Sequence, residues 1–185
     1  MPVAPLIWLH NIKDMEYIFP LKKGIKESYI IDSKESRKLL LKNKNYVLIR
    51  RFSSKDDKIR LICAPYFASE SKYERIGIEN HLNYIYRPNG ELSDEEIWGI
   101  SALFGSKLFD TYFRTFNGNT QVGASELKQI KIPLLEEIVM IGRILKNTIH
   151  PSKIEIENII NNVLFETPYV KNRISTNNFE IVGIA

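Results

Sequence analysis

The sequence predicts an α+β protein, in which a mixed or antiparallel β-sheet packs against one long amphipathic helix and further helices toward the C-terminus. Three observations lead to this prediction. Short apolar runs separated by turn residues fill the first 86 residues. A capping box then opens a helical repeat of apolar residues, and further apolar helical patterns follow from residue 134 onward. With 185 residues, 44% of them hydrophobic, the chain can form one domain of ordinary size.

The N-terminal half is predicted to be mainly sheet. Apolar runs up to about residue 31 indicate strands joined by turns, and strong helix formers at 33–43 indicate a short basic helix. Residues 46–52 and 59–64 are strand-like on either side of a polar turn, so we expect a hairpin that stops at Pro65. Residues 76–86 form a third extended segment with imperfect alternation.

The C-terminal half is predicted to be mainly helical. Ser93 and Glu96 form a capping box, and the apolar stripe that follows predicts one helix that stops near Asn117, where Gly118 can take the left-handed conformation. We expect a short turn or helix at Ser125, a brief strand at 130–133 and helices at 134–149 and 152–164. A polar tail begins at residue 167, with an extended end at 179–185. The boundary near residue 150 divides a main domain, 1–150, from a small helical appendage and tail, 151–185.

The positive charge is concentrated in one part of the sequence. The net charge is +4, but residues 34–60 carry ten Lys or Arg against three acids. Such a block is typical of a surface that binds a polyanion, since phosphate neutralisation supplies much of the affinity for nucleic acid. A solvated lysine-rich helix is the alternative interpretation.

Several classes of protein are excluded by composition. Cys63 is the single cysteine and lies in an apolar run, so a disulfide framework is impossible, and we expect a buried thiol in a cytoplasmic protein. No apolar run is long enough for a membrane span, and the N-terminus lacks the basic start of a signal peptide. We therefore expect no membrane association.

The sequence contains no recognisable reaction centre. The three histidines lie in unrelated contexts without metal-ligand spacing, so no metal site is expected. A nucleophile elbow and a phosphate-binding glycine loop are also missing. Glutamate pairs at 95–96 and 136–137 lie in first helical turns, where the helix dipole explains them. A binding module is therefore a better prediction than a self-sufficient enzyme.

Two polar segments and the proposed hairpin provide candidate contacts to DNA. Short amide and imidazole side chains are costly to bury but suited to base edges, whereas arginine and lysine suit phosphates and guanine. For the polar segments, local turns and capping loops are the alternative explanation. The candidate DNA-binding residues are Arg50, Arg51, Lys55, Lys58, Arg60, Asn80, His81, Asn83, Asn117, Asn119, Thr120 and Gln121.

Four segments in one order carry a family resemblance. They are YVLIRRFSSKDDKIRLICAPY at 46–66, GIENHLNYI at 77–85, LSDEEIWGISALFGSKLFDTYFR at 92–114 and NGNTQVGASELKQIKIPLLEE at 117–137. Together they resemble the C-terminal target-recognition region of DNA adenine-N6 methyltransferases of restriction-modification systems, including fused enzymes of the Eco57I type. The last segment is also similar to the recognition domains of type I specificity subunits.

The resemblance implies a division of labour. In that family, methyl transfer belongs to an upstream domain with an S-adenosylmethionine loop and an Asn-Pro-Pro-Tyr motif, and this chain has neither. We therefore expect no cofactor in this chain, with S-adenosylmethionine in the presumed catalytic domain. The expected partners are double-stranded DNA and that catalytic domain or subunit. The chain is then either a fragment of a longer methyltransferase or an independent recognition subunit.

A second hypothesis belongs to a different class. The chain is a protein-docking module of a methyltransferase or nuclease complex, without base-specific readout. Trp98, Tyr112 and the helix at 134–149 would form its contact surface.

Overall fold

The computed structural model describes residues 2–53, 56–166 and 179–183. The first four strands are β1 (Val3–Ile7), β2 (Ile12–Lys13), β3 (Glu16–Tyr17) and β4 (Tyr29–Ile31). They are followed by β5 (Leu40–Lys42), β6 (Tyr46–Arg50), β7 (Cys63–Tyr66), β8 (Arg75–Ile78) and β9 (Leu82–Tyr86). The helices are α1 (Asp94–Phe104), α2 (Lys107–Phe116), α3 (Ala124–Leu127), α4 (Leu135–Lys146) and α5 (Lys153–Asn161), and β10 (Glu180–Gly183) comes last.

The strands form two four-stranded sheets and one small hairpin. The outer sheet has the order β4-β1-β8-β5, with a parallel β1–β8 pair between antiparallel neighbours. The central sheet has the order β10-β9-β6-β7 and is antiparallel throughout. The strands β2 and β3 pair with each other. The predicted α+β class with mixed and antiparallel sheet is confirmed.

The central sheet is covered on both faces, which explains why its strands are almost continuously apolar. Alternate side chains point to opposite faces of a strand. In β6, Val47 and Ile49 face a core shared with the helices, whereas Tyr46 and Leu48 face a second core shared with the outer sheet. The molecule is therefore built as outer sheet, central sheet and helical layer. Residues of α5 and Ile181 of β10 belong to the helix-side core.

The predicted long helix is two helices. Its N-terminal capping box is confirmed, since Ser93 Oγ accepts from Glu96 N at 3.2 Å and Glu96 Oε2 accepts from Ser93 N at 2.8 Å. The helix ends at Phe104, however, and Ser106 caps α2 by accepting from Phe109 N at 3.2 Å. A Cβ on Gly105 would lie 3.1 Å from Asp14 Oδ1. The break thus lets the chain pass close to the β2–β3 turn.

The helices α1 and α4 meet through their glycines. A Cβ on Gly142 would lie 1.7 Å from the Glu95 carbonyl oxygen, and a Cβ on Gly99 would lie 2.0 Å from the Ile138 carbonyl oxygen. Real Cβ atoms cannot approach so closely, so the two backbones touch only because both positions lack a side chain. This contact packs α4 directly against α1 within the helical layer.

Other predictions of local structure were wrong. The basic segment at 33–43 forms a 3-10 turn and β5, because pairing with β8 outweighs helix propensity. Residues 76–86 form two strands that belong to different sheets. Residues 130–133 are not a strand. Residue Asn117, in extended conformation, follows the end of α2, and Gly118 is not left-handed.

The remaining element predictions are confirmed. The N-terminal strands, the turn at Ser125 as α3, the helices α4 and α5, and an extended C-terminal end as β10 are present. The hairpin of β6 and β7 also forms, but residues 59–62 belong to its connection, and the prediction that it stops at Pro65 was wrong. Pro65 lies inside β7, which an edge strand tolerates because one side of it needs no backbone donor. The predicted polar tail from residue 167 falls outside the described residues until residue 179.

Candidate nucleic-acid interface

Three loops meet at one end of the central sheet. The strand β6 ends there at Arg50, and β7 and β9 begin there at Cys63 and Leu82, since both run antiparallel to β6. The loop at 117–122, which follows α2, reaches the same end. Segments that are far apart in the sequence are thus neighbours in the fold.

Backbone hydrogen bonds lock these loops together. Arg51 N donates to His81 O at 2.8 Å, and Val122 N donates to Arg51 O at 2.8 Å. Ser53 N donates to Thr120 O at 3.3 Å, and Phe52 forms a β-bridge with Gln121. The connection after β6 therefore lies between the loop before β9 and the loop after α2. The backbones of the three loops are therefore held next to one another.

The exposed side chains at this end form what we call the recognition cluster. Arg51 is half-buried and donates from Nη1 to Asn80 O at 3.2 Å. The other members are exposed, and the His81 side chain retains 46% of its accessible surface while its Nδ1 contacts the Glu79 carboxylate. The recognition cluster comprises Arg51, Phe52, Asn80, His81, Asn119, Thr120 and Gln121.

Phe52 is the member that sequence reasoning missed. The sequence places it in the strand-like run 46–52, where an apolar residue needs no further explanation. In the structure it is 42% exposed, and its ring lies 5.1 Å from the His81 ring, centroid to centroid. Its position directly after two arginines was the available signal. An exposed aromatic ring among polar groups can stack on a base or wedge between base steps.

Arg60 does not belong to the exposed surface, which corrects its prediction as a DNA contact. Only 1% of the residue is accessible. Its Nε donates to Ser53 Oγ at 2.9 Å and its Nη2 to Asn119 O at 2.5 Å, while the guanidinium carbon lies 5.7 Å from the Phe113 ring centre. Burial lowers the pKa of this guanidinium, and the neighbouring Arg114 lowers that pKa further. Arg60 therefore joins two loops of the interface from beneath.

Asn83 and Asn117 are also buried, and their predicted role as direct contacts is corrected in the same way. Asn83 Nδ2 donates to Val122 O at 2.6 Å. Asn117 Nδ2 donates to Gln121 O at 3.2 Å, and its Oδ1 accepts from Asn119 N at 3.0 Å. Short amide side chains close turns efficiently because they imitate backbone groups. These two asparagines hold the loop at 117–122 in shape.

Arg50 and Lys58 lie beside the cluster, on the side of the β2–β3 turn. Arg50 is half-buried, and its Nε donates to Ile12 O at 2.9 Å. Desolvation lowers the pKa of Arg50, and the charge of Asp57 opposes that effect. Lys58 is exposed, and together with Arg50 it lines a shallow depression next to the β2–β3 turn. Lys55, the remaining basic candidate, lies outside the described residues.

The basic block of the sequence does not become one basic surface. In the register of β5 and β8, Lys42 lies opposite Arg75, at the start of β8. His81 follows the other end of β8, so Lys42 is remote from it. Arg37 Nε donates to Asp32 at 2.9 Å, and Lys44 Nζ donates to Gly90 O at 2.8 Å, both away from the cluster. Of the described residues in this block, those from Arg50 onward lie nearest the recognition cluster. The positive charge that the described residues bring to this end of the sheet is therefore moderate.

Other chemical sites are not evident in the described parts of the chain. Cys63 is fully buried, as predicted, with Sγ 3.1 Å from Ser101 O, and burial raises the pKa of its thiol. Within residues 2–53, 56–166 and 179–183, no three metal-binding side chains come together. In the same residues, no helix has the length and apolar character to cross a bilayer.

The chain is similar to part of two type II methyltransferases. It is 31% identical to the type II methyltransferase M.BsuBI of Bacillus subtilis over 162 residues, which is 87% of this chain and 32% of that protein. It is 29% identical to the type II methyltransferase M.PstI of Providencia stuartii over 135 residues, which is 73% of this chain and 27% of that protein. The chain spans less than a third of the length of these curated relatives.

No family model matches the chain, and no solved structure matches it. The similarity to the two relatives nevertheless covers most of the present sequence, including the segments that build the recognition cluster in the longer alignment. It relates this chain to part of two type II methyltransferases.

Proposed function

We propose that this chain is the DNA-recognition part of a restriction-modification methyltransferase that modifies adenine at N6. It holds the target site while a separate catalytic domain, which binds S-adenosylmethionine, transfers the methyl group. The observation that carries the proposal is the recognition cluster, in which three hydrogen-bonded loops present guanidinium, imidazole, amide and aromatic groups at one end of a rigid sheet. Similarity to two type II methyltransferases supports the same assignment.

The members of the cluster suit different parts of a DNA duplex. Amide groups such as that of Gln121 match the donor and acceptor pair of adenine in the major groove, and arginine matches guanine. Lys58 and the backbone amides of exposed loops suit phosphates, which set orientation without reading sequence. Phe52 provides the apolar surface that a thymine methyl or an unstacked base requires. Base specificity then comes from the side chains of the loops, and the cations set the position of the protein on the duplex.

Base flipping gives the division of labour a physical reason. A catalytic domain that takes adenine out of the stack must overcome the unstacking energy. A partner domain that grips the neighbouring base pairs supplies binding energy and keeps the duplex in register. The rigid attachment of the cluster to β6 and β9 suits that role, because loosely held side chains would lose entropy on binding.

The docking hypothesis is less well supported. Trp98 and Tyr112 are partly buried and pack against the helix-side core, so they offer less free surface than a docking site needs. Ile144 of α4 is 40% exposed, but single exposed apolar residues are normal on protein surfaces. We therefore place docking second.

Binding of duplex DNA tests the proposal. We would select bound sequences from a pool of randomised duplexes and then measure anisotropy of a labelled selected duplex at low and high salt. The expected result is enrichment of one short sequence and an affinity that falls between about 50 and 200 mM salt, since cations beside the cluster displace counterions from phosphates. Binding without enrichment, or without salt dependence, would contradict the proposal.

Two alanine variants separate the roles of the cluster. Gln121→Ala should reduce discrimination between the selected site and a site with one changed base pair, by about 1–3 kcal/mol if Gln121 contacts that base. Arg51→Ala should relax base preference if Arg51 reads sequence, and should weaken all duplexes equally if it meets phosphate. Lys42→Ala is the matched control, since it removes an exposed charge on β5 far from His81. Equal losses of DNA affinity in all three variants would contradict an interface localised at the recognition cluster.

A further inference from the structure

An aromatic pocket lies at the opposite end of β7 from the recognition cluster. Cys63, at the start of β7, pairs with Ile49 next to the recognition loops, whereas Tyr66 ends the strand three residues later. The pocket beside Tyr66 has a volume of about 410 Å³, which lies within the range of small-molecule sites. The proposed function makes no use of it.

The pocket walls are aromatic rings from separate parts of the fold. Tyr17 and Phe19 are nearly parallel, with centroids 6.1 Å apart and planes at 6°. Tyr66 meets the Tyr17 ring edge-on at 5.2 Å, and Tyr29 meets the Phe19 ring edge-on at 5.4 Å. Tyr29 in turn lies 5.9 Å from Tyr73. Because β3, β4, β7 and the segment before β8 all contribute, the rings are held as a set rather than as one mobile loop.

These rings present uncharged surfaces. Burial raises the pKa of the Tyr17 phenol above its usual value, and it raises the pKa of the Tyr66 phenol as well. Both therefore stay neutral near pH 7. A neutral aromatic wall favours a flat, weakly hydrated ring that can stack against it.

Charged groups at the rim narrow the choice of ligand. Lys72 is exposed, and its Nζ lies 5.6 Å from the Tyr73 ring centre. A cationic ligand that enters this pocket would meet a like charge already placed over the aromatic surface, so recognition of a quaternary ammonium is disfavoured. Lys72 instead suits an anionic group attached to the bound ring. The Glu70 carboxylate on the same rim can accept a hydrogen bond from an exocyclic amino group.

We propose that this pocket binds a nucleotide, with the base stacked among Tyr17, Phe19 and Tyr29 and the phosphate directed to Lys72. A planar ring that carries both an amino group and a phosphate satisfies each of these features. The ligand is either a free mononucleotide or an unpaired nucleotide of a DNA strand. An aromatic peptide side chain would use the rings but would leave Lys72 without an anion.

Calorimetric titration of the 185-residue chain with dAMP, dCMP and dTMP tests the pocket. The expected result is saturable one-site binding of dAMP and dCMP, with dTMP weaker because it lacks an exocyclic amino group. Tyr29→Ala should weaken dAMP binding by about tenfold or more, since one stacking contact is lost. Lys72→Gln should remove the advantage of dAMP over unphosphorylated deoxyadenosine. Phe116→Ala, an exposed aromatic residue outside the pocket, should change nothing.

Two further measurements distinguish a DNA strand from a free nucleotide, and a nucleotide from an aromatic peptide. Tighter binding of a duplex with one unpaired adenine than of dAMP, lost in Tyr29→Ala, would identify a DNA strand as the source, and equal affinities would identify a free nucleotide. Saturation by a tyrosine-containing peptide without any nucleotide binding would overturn the proposal. So would the failure of the wild-type chain to bind dAMP at about 10 mM.

The nucleotide proposal for the pocket and the DNA proposal for the recognition cluster can be refuted independently of each other. Arg51→Ala should leave dAMP binding unchanged, because Arg51 and Tyr66 lie at opposite ends of the β6–β7 pair. Lys72→Gln keeps the proposal testable if Tyr29→Ala does not fold, since Lys72 is exposed. A folded Lys72→Gln variant that binds dAMP and deoxyadenosine with the same two affinities as the wild type would overturn the phosphate assignment.

Discussion

Replacement of Arg60 by alanine is the perturbation that links the fold most closely to the interface. Arg60 is buried under the loops and donates one hydrogen bond to Ser53 Oγ and one to Asn119 O. Arg60→Ala removes both donors at once. The backbone hydrogen bond from Arg60 N to Asp110 Oδ1, at 2.5 Å, does not depend on the side chain and remains possible.

The size of the effect follows from these contacts. A hydrogen bond from a charged donor contributes about 1.5–3 kcal/mol, and an acceptor left buried without a partner adds a penalty. The cation above the Phe113 ring is also lost. Relief of the desolvation cost of a buried guanidinium offsets part of this. We expect a net loss of about 3–5 kcal/mol in the free energy of unfolding.

Chemical denaturation measured by circular dichroism provides the stability, and fluorescence anisotropy provides the affinity for duplex DNA. Lys58→Ala is the matched control for the stability measurement alone, because Lys58 is an exposed cation two residues away. It should change the free energy of unfolding by less than about 0.5 kcal/mol. Arg60→Ala should also weaken DNA binding under conditions where it is folded, since Asn119 and its loop lose their support.

The reasoning would be refuted if Arg60→Ala were as stable as Lys58→Ala. It would also be refuted if Arg60→Ala lost stability as expected but bound DNA with unchanged affinity and base preference. The first result would mean that the two buried hydrogen bonds contribute nothing. The second would mean that the loop at 117–122 does not touch DNA.

Three further predictions concern other parts of the fold. Gly142→Ala should lower the free energy of unfolding by about 3 kcal/mol or more in a denaturation series, because a Cβ there would overlap the Glu95 carbonyl and push α1 from α4; an unchanged midpoint would contradict that packing. The Cys63 thiol, whose pKa burial raises, should react with Ellman's reagent only in the unfolded protein, and rapid native labelling would contradict its burial. Hydrogen bonds from Ser152 lower the pKa of Glu155, so its stabilisation is present at neutral pH and lost as pH falls through the carboxyl range; Glu155→Gln should therefore show a smaller loss of stability on acidification than the wild type, as thermal melts at several pH values can measure.

The fold class could be predicted because local signals agreed with the tertiary structure. Ser93 and Glu96 specify a helix start by their own hydrogen bonds, and the apolar pattern of β6 reports burial on both faces. The basic segment at 33–43 could not be predicted in this way. Its helix formers indicate local preference, whereas β5 depends on β8, a partner more than thirty residues away.

The sequence predicted which polar segments could belong together, but not which of their side chains are exposed. The polar segments do come together at one end of the sheet, yet Arg60, Asn83 and Asn117 turn inward. A side chain faces inward or outward according to the path of the neighbouring loops, which a single sequence does not reveal. The exposure of Phe52 could not be predicted either, since an apolar residue at the end of a strand-like run is typical of a buried position.

Hydrogen exchange of the chain with and without its selected duplex tests the central claim most directly. Mass spectrometry of peptic fragments reports protection along the whole sequence. The account predicts that DNA slows exchange in the segments at 51–53, 79–82 and 117–122 together, while the exposed end of α4 near residue 146 is unchanged. Protection confined to α4 and α5, with those three segments unaffected by bound DNA, would contradict it.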